Sequence, residues 1–285
     1  MDVRIKVPVL TALAALIGGC GGGGGGDNGV VNPPPPTTTT GVFVDSVTQG
    51  IAYTCGSTTG LTDAKGTFSF AAGDSCTFKV GGITLGSAKG KSVISPVDLV
   101  AGATSEADAI VTNIAQFLIS LDNDNNPGNG IVIDPAVQTA MAGQTLDFTQ
   151  ATAAFETAAQ TVVDAAIPGR TLVSPATAQS HLGATLVGLF AGNYSCSYTG
   201  TTSGSVTVSI DNGVVTGSGQ SNETPPVMFS VDGNVSSIGD AALDVTSGGT
   251  STGATWSGSF RPDGTGSGQW SEPPDDSGTW SCTKT

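Results

Sequence analysis

From residue 41 onward the apolar positions of the chain follow two different periods. Gly41–Val44, Ile51–Cys55, Thr67–Phe70 and Cys76–Val80 are short β-prone runs separated by turn formers. Alternate residues of a strand share a face, so Phe68 and Phe70 point the same way, after a tight turn at Asp63-Ala64-Lys65-Gly66. Gly81-Gly82 makes a second turn before Ile83-Thr84-Leu85. These runs predict a small antiparallel sheet or half-sandwich. The period then lengthens. Ser105 is placed to cap a helix, with Asp108 three residues on, and Ile110, Ile114, Phe117, Leu118 and Leu121 form one apolar stripe at helical spacing. Asp134-Pro135 opens a short helix through Met141 with proline in its first turn. An alanine-rich segment, Thr149–Ile167, ends at Pro168-Gly169, and Ser174-Pro175 opens a last helix that passes His181 and runs towards Phe190.

After Gly192 the period returns to two. Segments near 193–199, 204–210, 213–219, 226–232, 241–246, 253–260, 266–271 and 278–284 alternate, with Asp-Asn-Gly, Asp-Gly and glycine-rich turns between them. About eight short strands joined by short turns predict an up-and-down meander or a small closed barrel. The fold class is therefore an α+β amino-terminal domain, residues 41–183, followed by an all-β antiparallel domain, residues 184–285.

Cysteines sharpen this. The chain has five. Cys55, Cys76, Cys196 and Cys282 form an even set that suits two disulfides in an exported protein. Three pairings exist, and the spacing points to Cys55–Cys76 and Cys196–Cys282, one in each domain. The second pair would set the first and last strands of the meander side by side, as closure requires. Zinc is the competing use, but there is no C-x-x-C and His181 is the only histidine.

Cys20 stands apart. Arg4 and Lys6 precede an apolar run, Val7–Ile17, too short to span a bilayer as a helix, which suits a secretory signal over residues 1–19. The run closes on Leu16-Ile17-Gly18-Gly19-Cys20, which resembles the bacterial lipobox and implies lipidation of Cys20 and a membrane attachment through that lipid. Residues 20–40, with Gly21–Gly26, Pro33–Pro36 and Thr37–Thr40, read as a tether. Stretched, twenty residues reach about 66–72 Å; as a flexible coil they average roughly 25 Å. Gly21 is not the aspartate that favours the inner membrane, so the outer membrane is the expected address.

The formal charge is −14, and −15 once a leader carrying Asp2, Arg4 and Lys6 is removed. So acidic a chain is a poor partner for nucleic acid, whose phosphates need cations. It is also not drawn to anionic headgroups, which leaves anchoring to the lipid.

Phe43-Val44-Asp45-Ser46, Gly50-Ile51-Ala52-Tyr53, Thr62 to Phe70, Gly82-Ile83-Thr84-Leu85-Gly86 and Asn113 to Leu118 together resemble a module at the amino end of proteobacterial surface and adhesin-like lipoproteins. That resemblance covers about half the chain and implies an envelope location without a defined chemistry. The carboxy-terminal glycine and tryptophan pattern, around Thr255-Trp256-Ser257-Gly258 and Gly268-Gln269-Trp270, is similar to avidin- and lipocalin-like barrels in architecture only.

Three candidate sites emerge. Asp122, Asp124 and Asn126 occupy the first, third and fifth places of a calcium loop. Pro127 stands where such a loop needs glycine, and Ile133 where it needs glutamate, so a plain polar turn is the alternative. Tyr194, Tyr198, Trp256, Trp270 and Trp280, with Phe260, either line a ligand pocket or fill the β core, and filling is the simpler use of large aromatics. His181 lacks a surrounding nucleophile motif and reads as a surface or partly packed residue. With no H-E-x-x-H or phosphate-binding loop, the expectation is a noncatalytic envelope lipoprotein that binds a protein or glycan partner at the surface. The runner-up is a carrier of a small apolar ligand in the barrel. A hydrolase with paired acids in a cleft comes third.

Overall fold

The computed structural model describes residues 37–285; the leader, the Leu16–Cys20 segment and most of the tether lie outside the described residues. The first strands are β1 (Thr38–Phe43), β2 (Thr48–Gln49), β3 (Ala52–Cys55), β4 (Thr58–Leu61) and β5 (Thr67–Ala71). Next come β6 (Ser75–Val80), β7 (Ile83–Lys89) and β8 (Val93–Ile94). All but β2 build two small sheets, ordered β5-β1-β8 and β4-β3-β6-β7. The inward phenylalanines join the sheets: Phe43 and Phe68 meet Phe78 at ring-centroid distances of 5.0 and 5.2 Å. Three of the threonines assigned to the tether belong to the fold instead. Thr38, Thr39 and Thr40 pair with Ala71, Phe70 and Ser69, because β-branched residues opposite a free strand edge extend the ladder.

Four helices follow: α1 (Ala109–Ser120), α2 (Pro135–Ala140), α3 (Thr152–Ala166) and α4 (Pro175–Gly188), with the two-residue β9 (Ile131–Val132) before α2. Asp108, rather than Ser105, caps α1, its carboxylate accepting from the Ile110 and Val111 amides. α1 packs against α3 and α4. Residues Val111–Ser120 are all buried, so α1 is a central helix rather than an amphipathic surface one. α4 continues to Gly188, so the expected boundary at 183/184 falls inside a helix, and the second domain begins at Gly192.

The second domain is a closed eight-stranded antiparallel barrel. Its first half is β10 (Gly192–Gly200), β11 (Gly204–Asp211), β12 (Val214–Ser221) and β13 (Met228–Val235). The second half is β14 (Asp240–Ser247), β15 (Thr250–Phe260), β16 (Thr265–Glu272) and β17 (Asp276–Lys284). Each strand pairs with its neighbour in sequence, and β17 returns to β10 with Cys282 directly opposite Cys196. Those two cysteines are bonded, as are Cys55 and Cys76 on adjacent β3 and β6. The pairing expected from spacing and the closure it implied are both present. An eight-stranded barrel has an interior that side chains just fill, or that holds one small ligand. Which of these applies differs between the two ends.

Candidate functional site

Period-two alternation decides which side chains enter the barrel. On β11 it is unbroken: Gly204, Val206, Val208 and Ile210 are buried and their neighbours exposed. On the remaining strands the same phase turns in Tyr194, Tyr198, Phe229, Trp256, Phe260, Trp270 and Trp280. The aromatics form a column: Tyr194 meets Phe260 at 5.0 Å, Phe260 meets Trp280 at 5.6 Å, and Trp280 stacks on Trp256 at 6.0 Å and 21°. Tyr198 then touches Trp256, Trp270 and Phe229 at 5.5, 5.8 and 5.8 Å.

The lower half of this column is solid. Trp280 lies flat on the wall at Gly258 and Gly268, where an added methyl would fall 2.6 and 2.7 Å from its ring. Its indole N–H donates to the carbonyls of Ser257 and Gln269 at 3.1 and 3.2 Å. Phe190, just past α4, stoppers this end: it is buried in the barrel core, and its carbonyl accepts the Tyr194 hydroxyl at 2.8 Å. Burial, aided by Asp263, pushes the Tyr194 phenol up to about 12.

The other mouth is open. A cavity of about 230 Å³ sits there, walled by Tyr198, Phe229, Trp256 and Trp270, with Thr202, Glu223 and Glu272 at its polar edge. Burial raises the Tyr198 phenol, and the negative charges of Glu223 and Glu272 raise it further. Both carboxylates therefore act on the same space. Three of the five expected lining residues, Tyr198, Trp256 and Trp270, reach the cavity. Tyr194 and Trp280 do not, because the glycine wall and Phe190 let them pack the closed end; for these two, core filling is the correct reading. Sequence reasoning missed Phe229, Glu223 and Glu272. The signal was available for two of them: Phe229 leads the inward phase of β13, and Glu272 sits two residues after Trp270, in phase with it.

The loop after α1 is already satisfied. The Asp122 carboxylate accepts from the Asn126 and Val132 amides at 2.8 and 2.9 Å. That of Asp124 accepts from the Asn126 amide and the Asn129 side chain at 3.0 and 2.8 Å. The Arg170 guanidinium donates to the Asp122 carbonyl at 2.6 Å and to the Asn123 carbonyl at 3.3 Å. A side-chain cation thus holds the backbone of the loop, and Asp122, Asp124 and Asn126 work as a turn. Among the described residues no cluster of three or more His, Cys, Asp or Glu side chains is placed to hold a metal.

His181 is partly packed, as expected, but in company the sequence did not reveal. Its Nε2 lies 3.0 Å from Ser46 Oγ and 3.9 Å from Asp45 Oδ1. The Ser46 hydroxyl has one proton, and it goes to the Pro127 carbonyl at 2.8 Å. Nε2 must then donate to Ser46, which is the reverse of what a base activating a serine does. Asp45 is fully buried with neither carboxylate oxygen hydrogen-bonded. Burial raises its pKa well above the ordinary range and lowers that of His181 against the pull of Asp45, so burial works against charge on both.

No protein-family model and no curated protein matches the chain. Among solved structures, a de novo designed fluorescence-activating β-barrel is similar at 13% identity and a TM-score of 0.26, covering 34% of this chain and 94% of its own. A redesigned β-barrel is similar at 11% identity and 0.28, covering 35% and 95%. Both likenesses concern a third of the chain, and no function is taken from them.

Proposed function

We propose that the protein is a noncatalytic binding protein of the cell envelope, held at the outer membrane by a lipid on Cys20, that receives a small apolar ligand in the open mouth of its barrel. One observation carries the ligand reading: the barrel is packed solid at the α4 end and hollow at the other, where four aromatic rings wall a cavity. A core that only needed filling would have no reason to keep its aromatics around a gap, since packing normally leaves few voids larger than a water. The carrier reading therefore moves ahead of adhesion to a protein or glycan. The anchor rests on the Leu16–Cys20 residues and the tether that follows them.

The ligand site is tested with a neutral one-ring solvatochromic dye such as 4-(dimethylamino)benzonitrile. Saturable one-to-one enhancement of its emission, lost when Ala254→Trp fills the cavity, is the expected result. Enhancement that survives Ala254→Trp sinks the assignment to this mouth. For the anchor, labelling with a radioactive fatty acid should disappear in Cys20→Ala, and protease shaving of intact cells reads which face the body occupies.

A second reading, glycoside hydrolysis, is favoured by the two carboxylates on one cleft. Its acid catalyst needs an apolar setting that retains a proton, whereas Glu223 is exposed. Turnover of chromogenic glycosides, abolished in Glu272→Gln, would install it.

A further inference from the structure

Resting on the barrel-mouth reading, the geometry points to an organic cation as the ligand: a small molecule with a positively charged head and an apolar body. Four observations meet at this place. The cavity walls are π faces, and the faces of Trp, Tyr and Phe attract cations within about 6 Å. The two ionisable side chains at its edge besides Tyr198 are Glu223 and Glu272, and neither Lys, Arg nor His lines it. The next turn of the same rim, between β16 and β17, adds Asp275 and Asp276. Finally, the barrel's two basic residues, Arg261 and Lys284, are both at the stoppered end. Arg261 is in the β15–β16 turn, and Lys284 pairs with Tyr194 across the β17–β10 ladder beside the Phe190 stopper.

Charge is therefore uneven along the barrel axis: at the closed end Arg261 and Lys284 offset the carboxylates of Asp211, Asp240 and Asp263, whereas the open end carries carboxylates with no basic side chain. An acidic rim alone would only aid solubility. Here the rim surrounds an aromatic cavity, and both features select the same charge. An anionic ligand would meet two carboxylates with no counter-charge. A neutral one would use the rings but gain nothing from Glu223 and Glu272. A cation gains from both, with its body against Trp256 and Trp270 and its head towards the glutamates, where the Thr202 hydroxyl already donates to Glu223 at 3.2 Å. At about 230 Å³ the cavity lies below the roughly 300–1,000 Å³ of pockets that engulf drug-sized ligands. It suits a compact head with one ring or a short chain.

Three probes of one shape decide the matter: phenyltrimethylammonium, its neutral isostere tert-butylbenzene, and the anion benzenesulfonate. Each is titrated into the intact protein while tryptophan emission is followed. The cation should bind about tenfold or more tighter than the isostere, and the anion should not bind. The preference should shrink as salt is added, because exposed charges are screened. It should fall several-fold in Glu223→Gln/Glu272→Gln, whose fold is checked by circular dichroism, and stay in Asp240→Asn at the closed end. Equal affinity for cation and isostere, with both excluded by Ala254→Trp, overturns the cation assignment and leaves the mouth as an apolar site. Failure of all three probes and of the neutral dye removes the ligand site and the cation assignment together. The salt titration needs no variant, so the assignment stays testable if the double substitution unfolds.

Discussion

In the barrel, the buried positions of β11 are glycine and aliphatic side chains, and the backbone finds its hydrogen bonds in a ladder that closes on itself. In the first domain, the central helix α1 buries ten residues in a row, and four of them, Thr112, Asn113, Gln116 and Ser120, are polar. Those side chains bind loops. Asn113 Nδ2 donates to the carbonyls of Phe148 and Gln150, Gln116 Nε2 donates to that of Val173, and Ser120 Oγ accepts from the Val173 amide. A barrel is assembled from neighbours in sequence; the α+β domain is clasped together by polar side chains that reach 35 to 57 residues along the chain. The first design leaves room to vary the interior at one mouth without touching the ladder. The second ties the loops at residues 148–150 and 173 to the core, so these buried polar groups are structural before they are anything else.

The largest expected effect separates the domains by their disulfides. Cys196–Cys282 spans 86 residues and Cys55–Cys76 spans 21. On the loop-entropy account, replacing the first pair by alanine costs about 4–5 kcal/mol and the second about 3. Urea denaturation of the two double variants measures this, and equal losses would show that closure of the barrel is not what the longer link stabilises.

Next in size is a single methyl. Gly268→Ala would set a Cβ 2.0 Å from the Ser257 carbonyl and 2.7 Å from the Trp280 ring, whereas at Gly143 in the first domain a Cβ meets nothing within 4 Å. The barrel substitution should cost about 1–3 kcal/mol as overpacking, and Gly143→Ala should stay within about 0.5 kcal/mol of the parent. Thermal melts of the two variants read the contrast. A harmless Gly268→Ala would mean that the closed end is looser than its contacts imply.

These contrasts also explain what was legible in the sequence. All eight barrel strands were visible because alternation and turn residues are local signals, and ladder order then follows chain order. β4 was not, since Thr58-Thr59-Gly60-Leu61 is an exposed edge with no burial pattern. The apolar stripe on α1 was visible, but its polar side gave no sign of being buried, because the loops that cover it come from residues 148–150 and 170–173. The cavity was half legible: tryptophans mark the barrel interior, but the glycine wall and the stopper at Phe190 decide which of them pack and which line a gap. His181 and Asp45 lie 136 positions apart, and no local pattern joins them.

That pair gives the third prediction, of about 1 kcal/mol, in the range of an ordinary single substitution. Burial raises the Asp45 pKa above its ordinary 3.8. A raised carboxylate contributes stability that is full below 3.8 and is lost as pH rises through the folded value. Asp45→Asn, which cannot ionise, should therefore be more stable than the parent near neutral pH, and the gain should vanish as pH falls towards 4. His181 is shifted the other way, below its ordinary 6.5, so its contribution is full above 6.5 and fades as pH falls; it is common to both proteins and largely cancels. A pH-independent difference in melting temperature would assign the effect to packing rather than to the charge.

The smallest effect is expected at the loop after α1, where the two ways of satisfying polar groups meet a third, a metal. Asp122 is buried, and its pKa is raised by that burial against the pull of the Val132 and Asn126 amides; the Arg170 guanidinium holds the carbonyls beside it. The Asp122 and Asp124 carboxylates already accept four hydrogen bonds from amide groups, and Arg170 fixes the backbone carbonyls beside them. Melts with chelator and with added calcium should superimpose. Arg170→Ala should lower the melting temperature of the first domain through the carbonyls of Asp122 and Asn123, with calcium restoring none of it. If calcium did rescue Arg170→Ala, the arginine would be standing in for a metal, and the loop would be a calcium site whose cation has been replaced by a side chain.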